Sequence, residues 1–373
     1  MKKEIFTKIV KEWRNEWAND NELNVDDFKL FLKEALGRKY LITNIDIDGL
    51  LCATHLQKVS EKFKVAGFTD SVNQLYVPKD KSIGENQMSF LDIYMKCGFC
   101  FDNHMINVLE HTFGSVLNLN QLRGRGISNY GKKYPFGTCN IIMSLFDRTG
   151  VYDDIDPDRT IGVDGGFEVK LWHLYVRADD ALTTTTYKYV DNALEWWKFL
   201  FKISGKNGLV WKIFKKLEPI IVKKSDSKDV AEYKMTVSEE IKQHVNSFLA
   251  VNYNTDTSKH DGYRKLNDNL YHLYKDMCGW VGVVPNIIDP NELELHGYVR
   301  LIVDYRDKYN SDYMQTFSDI LDNEHVVSHA FTQSKVLAFD VRKKHVDYFK
   351  SNYDIKKVDW PINSPNYNIE YIK

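Results

Sequence analysis

The chain has 373 residues, of which 43% are hydrophobic and 27% charged, so it is long enough for two folded domains of ordinary composition. Its net charge of −2 argues against a protein that holds long duplex nucleic acid by neutralising phosphates, but it is compatible with a small phosphorylated ligand. The chain contains neither a run of about 18 apolar residues nor the pattern of an N-terminal signal peptide. We therefore expect a cytoplasmic protein without a membrane span.

The first 37 residues predict two amphipathic helices. Apolar residues recur near helical spacing in the segment 2–17. Asn24 is a candidate N-cap for the second helix, and Gly37 is a candidate C-terminal stop. We expect both helices to have structural roles.

The most informative segment follows the apolar residues 40–43. A strand that continued through this segment would place Asp46 and Asp48 on one face, because alternate residues of a strand point the same way. Gly49 then permits a turn into a helix. Two carboxylates at the end of a parallel strand lie where open α/β sheets bind ligands, and Mg²⁺ or Mn²⁺ prefers oxygen ligands. The same residues also occur in ordinary turns, so both interpretations stay open.

Further acids follow other apolar segments. Asp92 comes after 89–91, Asp102 and His104 come after another short strand-like stretch, and Asp179 follows the apolar residues near 175. The region alternates strand and helix patterns, which predicts an α/β domain with a mainly parallel sheet flanked by helices. A two-metal phosphoryl-transfer site would recruit such separated acids from different loops.

A basic, glycine-rich segment spans residues 123–133. Backbone donors beside its cationic side chains could hold a phosphate. A solvated charged connection is an equally good interpretation. The candidate phosphate-binding residues are Arg123, Arg125, Lys132 and Lys133.

Four parts of the chain, taken in order, resemble the motifs of the DHH phosphoesterase superfamily, which includes RecJ-like exonucleases and oligonucleotide and nucleotide phosphodiesterases. The segment Asn44–Gly49 is similar to the first motif, and Asp92 stands at the place of the second. The triplet Asp102–His104 resembles the third, and Asp179 fits the fourth. The resemblance covers about residues 38–200.

The chain departs from the family pattern at two points. Asn103 stands where the triplet has its first histidine, which would weaken one metal position and leave one or two ions. The spacing between Asp92 and Asp102 is short for strands joined by a helix. Either the two strands are adjacent with a trimmed connection, or Asp92 is not the second motif. Asp164 and Asp180 are weaker candidates for the fourth motif.

The resemblance implies a divalent-metal-dependent phosphodiesterase that hydrolyses nucleotides or short, single-stranded or cyclic oligonucleotides with Mn²⁺ or Mg²⁺. Its catalytic residues would be Asp48 and His104. Its metal ligands would be Asp46, Asp48, Asp92, Asp102, His104 and Asp179. Its substrate-binding residues would be Asn44, Asn103, Arg123, Arg125, Lys132, Lys133 and His329.

The expected domain organisation follows from the same comparison. A DHH-like catalytic domain would span residues 1–205, a linker 206–230, and a smaller α/β substrate-binding domain 231–373. His329 lies in this last part, and two interpretations of it stay open. It would replace the histidine that the family carries in a glycine-rich segment, or it is simply packed among its apolar neighbours.

Two other functions remain open. In a haloacid-dehalogenase-like phosphatase, Asp46 would be the nucleophile that forms an aspartyl-phosphate and Asp48 the acid/base. In a degenerate phosphoesterase that only binds or senses nucleotides, Asn44 and Asn103 would mark the loss of catalysis.

Overall fold

The fold is mixed α/β, with a seven-stranded, mostly parallel sheet as its largest element. The predicted N-terminal helices lie largely outside the described residues, although 32–37 are helical. The structure, a computed structural model, describes residues 32–70, 74–96, 98–106, 116–122, 126–134, 136–162, 166–178, 190–223, 225–254, 268–306, 313–333 and 335–359.

The strands within these residues are β1 (Tyr40–Asn44), β2 (Lys64–Thr69), β3 (Gln74–Pro78), β4 (Met88–Leu91), β5 (Phe99–Phe101), β6 (Val116–Leu117), β7 (Thr160–Gly162), β8 (Glu168–Lys170), β9 (Leu293–Gly297), β10 (Val299–Asp304), β11 (Val326–Gln333), β12 (Val336–Val341) and β13 (Ile355–Asp359). The α-helices are α1 (Ile47–Val59), α2 (Leu119–Leu122), α3 (Thr138–Phe146), α4 (Leu171–Ala178), α5 (Val190–Ser204), α6 (Leu209–Leu217), α7 (Lys228–Tyr253), α8 (Asp268–Trp280), α9 (Tyr313–Asp322) and α10 (Val346–Asn352).

Contacts between residues divide the chain into two compact units. The helical unit contains residues 45–64 and 132–286, and it holds helices α1 and α3 to α8 with the β7–β8 hairpin. The sheet unit contains residues 31–44, 65–131 and 287–373, and it holds the two larger sheets.

These units interleave along the chain, unlike the consecutive domains 1–205 and 231–373 that the sequence suggested. The expected linker, 206–230, contains helix α6. This helix buries its apolar residues and packs against α3, α4 and α5. Because those residues contribute to the core of the helical unit, the segment is part of that unit.

The seven-stranded sheet has the order β6-β5-β4-β1-β2-β3-β9. β1, β4, β5 and β6 pair in parallel, whereas β3 is antiparallel to both β2 and β9. The parallel strands are almost continuously apolar and buried, as is typical of parallel strands covered on both faces. β4 and β5 are adjacent, so the trimmed connection between Asp92 and Asp102 is confirmed.

The second sheet is antiparallel and has the order β11-β12-β10-β13. All six residues of β12 are buried. Asp340 on this strand accepts two hydrogen bonds of 2.9 Å from the guanidinium of Arg300 on β10. Such a bidentate pair fixes the register of neighbouring strands.

Helix packing forms the core of the helical unit. α1 packs against α3, α4 and α8, and α3 packs against α5. Trp197 is fully buried, with ring centroids of Phe136, Phe201 and Phe214 between 4.6 and 5.7 Å away. No helix among the described residues has both the length and the apolarity needed to cross a bilayer.

Candidate metal site

Four neighbouring parallel strands of the sheet unit each end in a carboxylate or amide residue. Across the sheet these residues are Asn118 after β6, Asp102 after β5, Asp92 after β4 and Asn44 at the end of β1. Each is at most 5% exposed. Because the carboxyl ends of parallel strands meet at one edge, the strand order alone assembles a buried polar row.

Within this row each asparagine orients one aspartate. Asn44 Nδ2 donates to Asp92 Oδ2 at 3.1 Å, and Asn118 Nδ2 donates to Asp102 Oδ2 at 3.2 Å. Asn118 Nδ2 also donates to the carbonyl of His104 at 2.6 Å. The Oδ1 atom of Asn118 accepts from the backbone N–H of Asn120 at 2.9 Å. The amides therefore fix one oxygen of each carboxylate and fix the start of α2.

The backbone at Asp92 has a left-handed conformation, with φ of +57°. This conformation is uncommon outside glycine, although aspartate tolerates it better than most residues do. The Asp92 amide donates to the carbonyl of Phe101 on β5 at 2.8 Å, which holds the turn against the neighbouring strand. A residue held in a sparsely populated conformation by its surroundings is typical of functional sites.

Asp92, Asp102 and His104 form a potential metal-binding group, since one ligand atom from each lies within 4.8 Å of the others. His104 Nδ1 is 2.7 Å from Asp102 Oδ1. The imidazole is 44% exposed, whereas the Asp102 side chain is fully buried, so the group is open to solvent on the side of His104.

The donor set of this group suits Mn²⁺ or Mg²⁺. Two carboxylates and one imidazole supply hard and borderline ligands, and His104 favours manganese of the two. Two buried carboxylates this close repel one another unless a positive charge lies between them. A divalent ion would provide that charge, and three protein ligands would leave coordination positions for water and substrate.

The structure places Asp46 and Asp48 in a different setting from the one expected. β1 ends at Asn44 and α1 begins at Ile47, so the prediction that the two acids share a strand face is wrong. Asp46 is the N-cap of α1, and its Oδ1 accepts from the Gly49 amide at 2.8 Å. Both acids belong to the helical unit, and neither is a member of the three-residue group.

Asp48 binds the N-terminus of helix α3. Its Oδ2 accepts from the Thr138 amide at 2.6 Å, and its Oδ1 accepts from the Cys139 amide at 2.8 Å. Burial, with a smaller contribution from the charge of Asp46, raises the pKa of Asp48 to about 7, although the two amide bonds oppose the shift. A side chain at Gly137 would lie 2.8 Å from Asp48 Oδ1, so this approach requires glycine.

The remaining predicted residues have varied settings. His329 is buried, and its Nε2 lies 2.9 Å from the carbonyl of Ile106. Burial lowers the pKa of His329 to about 4, so its ring is neutral at physiological pH. The carbonyl of Asn103 accepts from Asn120 Nδ2 at 2.8 Å.

Lys132 is exposed and Lys133 half-buried, and both fall in the helical unit. Neither is part of the metal-binding group. The predicted ligand and phosphate-binding residues that lie outside the described residues are Asp179, Arg123 and Arg125.

Asn118 is the site residue that the sequence did not indicate. Its signal was the one that identified Asp92 and Asp102, a short apolar strand followed at once by a polar residue. An asparagine at that place orients an aspartate by donating to it, so it falls outside the carboxylate and histidine pattern that indicates metal ligands.

Comparison with protein-family models, with curated proteins and with solved structures gives no match for this chain. Function is therefore inferred from the strand-end residues themselves. Fold resemblance alone would not decide it, since one fold hosts many activities.

Proposed function

We propose that the protein is a divalent-metal-dependent phosphodiesterase that hydrolyses nucleotides or short single-stranded oligonucleotides. Asp92, Asp102 and His104 would bind Mn²⁺ or Mg²⁺. The observation that supports this proposal is the convergence of their three ligand atoms within 4.8 Å. They converge at the carboxyl edge of a parallel sheet, where open α/β sheets bind their ligands.

The bound ion would lower the pKa of a coordinated water and offset the charge of the phosphate. The protein supplies the geometry for this chemistry. Asp92 and Asp102 carry the negative charge, and Asn44 and Asn118 keep both carboxylates from rotating. Outer partners of this kind orient the ligands and tune metal affinity.

His104 gives the site its exposed side. Its Nδ1 is held by the buried Asp102, a contact that fixes the direction of the ring. The ring is then presented to solvent at the place where a phosphate ester would enter. This arrangement suits His104 as a ligand that also contacts the substrate.

The phosphatase alternative is less well supported. Its nucleophile, Asp46, caps its own helix, and its acid/base, Asp48, is 5% exposed with both oxygens bound to backbone amides of α3. A carboxyl group that transfers protons to a substrate must reach it.

A hydrolysis panel tests the proposal. Nucleotides and short linear and cyclic oligonucleotides are incubated with the purified protein and Mn²⁺, Mg²⁺ or Zn²⁺. We expect turnover with Mn²⁺ that is lost in Asp102→Asn and retained in Asp276→Asn, which makes the same substitution at an exposed aspartate of the helical unit that accepts from the Tyr253 hydroxyl.

Nucleotide binding without turnover under any metal would contradict the proposal and favour the sensing module. If turnover is the same with and without a strong chelator, the reaction does not depend on a metal ion.

A further inference from the structure

Strand β11 of the antiparallel sheet contacts both loops that carry the ligands. We call residues 92–96, which follow β4, the first ligand loop, and residues 102–106, which follow β5, the second ligand loop. All of these segments belong to the sheet unit. The first ligand loop is bound where the Lys96 amide donates to the carbonyl of Val327 at 3.0 Å.

The second ligand loop is bound more extensively. The Phe331 amide donates to the carbonyl of Met105 at 2.8 Å, in an isolated antiparallel bridge between the two residues. His329 Nε2 lies 2.9 Å from the carbonyl of Ile106. A carbonyl oxygen only accepts, so Nε2 carries the hydrogen and donates it.

The side chain of His329, on β11, contacts both loops. Besides binding Ile106, its ring packs edge-to-face against Tyr94 of the first ligand loop, with ring centroids 4.7 Å apart. The ring is 6% exposed. A neutral, buried imidazole in this place cannot slide away from its carbonyl partner without leaving a buried donor unsatisfied.

The strand that carries His329 is itself well anchored. β11 pairs with β12 along its length, and every residue of β12 is buried. A loop bound to such a strand is held by the whole sheet, whereas a loop in solvent is free to adopt several conformations.

We propose that His329 is a positioning residue, which together with β11 holds the two ligand loops in the arrangement that binds the metal ion. This inference rests on the proposed function. It assigns to His329 the hydrogen bond to Ile106, two residues beyond His104, in place of the contact with substrate that the sequence suggested. It also makes the antiparallel sheet a determinant of metal affinity.

The test compares three variants. His329→Leu removes the donor and fills the buried position with an apolar side chain. His329→Gln keeps an N–H donor at the end of the side chain. His345→Gln is the matched control, because His345 belongs to the same unit but stacks on His325 rather than on a ligand loop.

The first readout is the dissociation constant for Mn²⁺ alone, measured by electron paramagnetic resonance of the free ion. Loss of an outer partner typically costs about 10–100-fold in affinity, and we expect about tenfold weaker binding in His329→Leu. We expect His329→Gln to stay within about threefold of the wild-type value, because a retained donor restores the bond. His345→Gln should bind as the wild type does.

The second readout needs no metal. Hydrogen exchange of the peptide covering 98–106 should quicken in His329→Leu and remain slow in His329→Gln. If the leucine variant does not fold, His329→Asn replaces it, since its shorter side chain keeps an amide but falls short of Ile106.

The outcomes separate the two proposals. A wild-type protein that binds no Mn²⁺ overturns the proposed metal site and with it the effect of His329 on affinity, while faster exchange in the variant would still show that β11 holds the loop. Wild-type Mn²⁺ affinity and wild-type exchange in a folded His329→Leu would overturn the positioning role.

Discussion

Each of the two units contains a pair of buried aspartates, and the two pairs accept hydrogen bonds from different kinds of donor. In the helical unit, Asp48 binds the N-terminus of α3 and Asp147 binds that of α6, where it accepts from the amides of Leu209 at 2.8 Å and Val210 at 3.0 Å. Each helix begins after a glycine, and a side chain there would collide with the carboxylate.

In the sheet unit, Asp92 and Asp102 each accept from an asparagine side chain and lie close to one another. In the first pair the N-terminus of a helix supplies two backbone amide donors to each carboxylate, which oppose the effect of burial on its pKa. In the second pair the amide donor to each carboxylate is an asparagine side chain, and one oxygen of each carboxylate lies within 4.8 Å of the other and of a nitrogen of His104. Burial therefore does not distinguish the aspartates that cap a helix from the candidate metal ligands, whereas the groups that they accept from do.

The largest expected effect is on turnover in the sheet unit. Asp102→Asn keeps the shape of the side chain and an oxygen to accept from Asn118, but removes a negative charge from the proposed metal site. We expect turnover to fall by more than about 100-fold, beyond the range for outer partners. Activity with Mn²⁺ is measured beside thermal unfolding. An active variant with wild-type Mn²⁺ affinity would exclude Asp102 as a ligand.

In the helical unit, the same kind of substitution should lower stability and leave turnover unchanged. Asp48→Asn places an amide group against a backbone N–H of α3, which leaves one buried donor unsatisfied. We expect the free energy of unfolding in urea to fall by about 1–3 kcal/mol, with turnover per folded molecule unchanged. Loss of turnover at wild-type stability would contradict this and return Asp48 to the active site.

The sequence allowed part of this contrast to be predicted. The strands that end before Asp92 and Asp102 have short apolar patterns, and the polar residue after each one marked the site. The same short apolar patterns predicted the α/β class with a mostly parallel sheet, and the structure confirms that class.

The role of Asp48 could not be predicted, because its partners lie 90 and 91 residues further along the chain. Local pattern also did not show where β1 ends. A D-x-D-G segment fits both the end of a strand and the first turn of a helix, and here the helix begins at Ile47. Only tertiary contacts separate these two alternatives.

A smaller effect is expected from the side-chain amides that orient Asp92 and Asp102. Asn44→Leu removes the donor to Asp92 Oδ2 while retaining a buried side chain of similar size. We expect Mn²⁺ affinity to weaken about tenfold, measured by calorimetry. Asn286→Leu, which removes an amide of the helical unit bound to the carbonyl of Glu61, should leave that affinity unchanged. Equal affinities in all three proteins would show that the aspartate needs no such partner.

The smallest effect is a pH dependence that belongs to the helical unit. Burial raises the pKa of Asp147 to about 6, above the unfolded value near 3.9. Between pH 4 and 6 the folded protein thus keeps a proton that the unfolded chain has lost, so the free energy of unfolding falls as pH rises. The linkage relation gives a slope of roughly 1 kcal/mol per pH unit from this group.

Asp147→Asn cannot titrate, so it should lack this part of the slope. It should also be less stable than the wild type at every pH, because its amide group would face a backbone N–H of α6. Urea unfolding at pH 4, 5 and 6 measures the difference between the two slopes. Identical slopes would mean that the amides of Leu209 and Val210 outweigh burial and keep the carboxylate ionised. In that case the helix N-terminus alone compensates a fully charged aspartate, and the contrast with the two aspartates of the sheet unit becomes sharper.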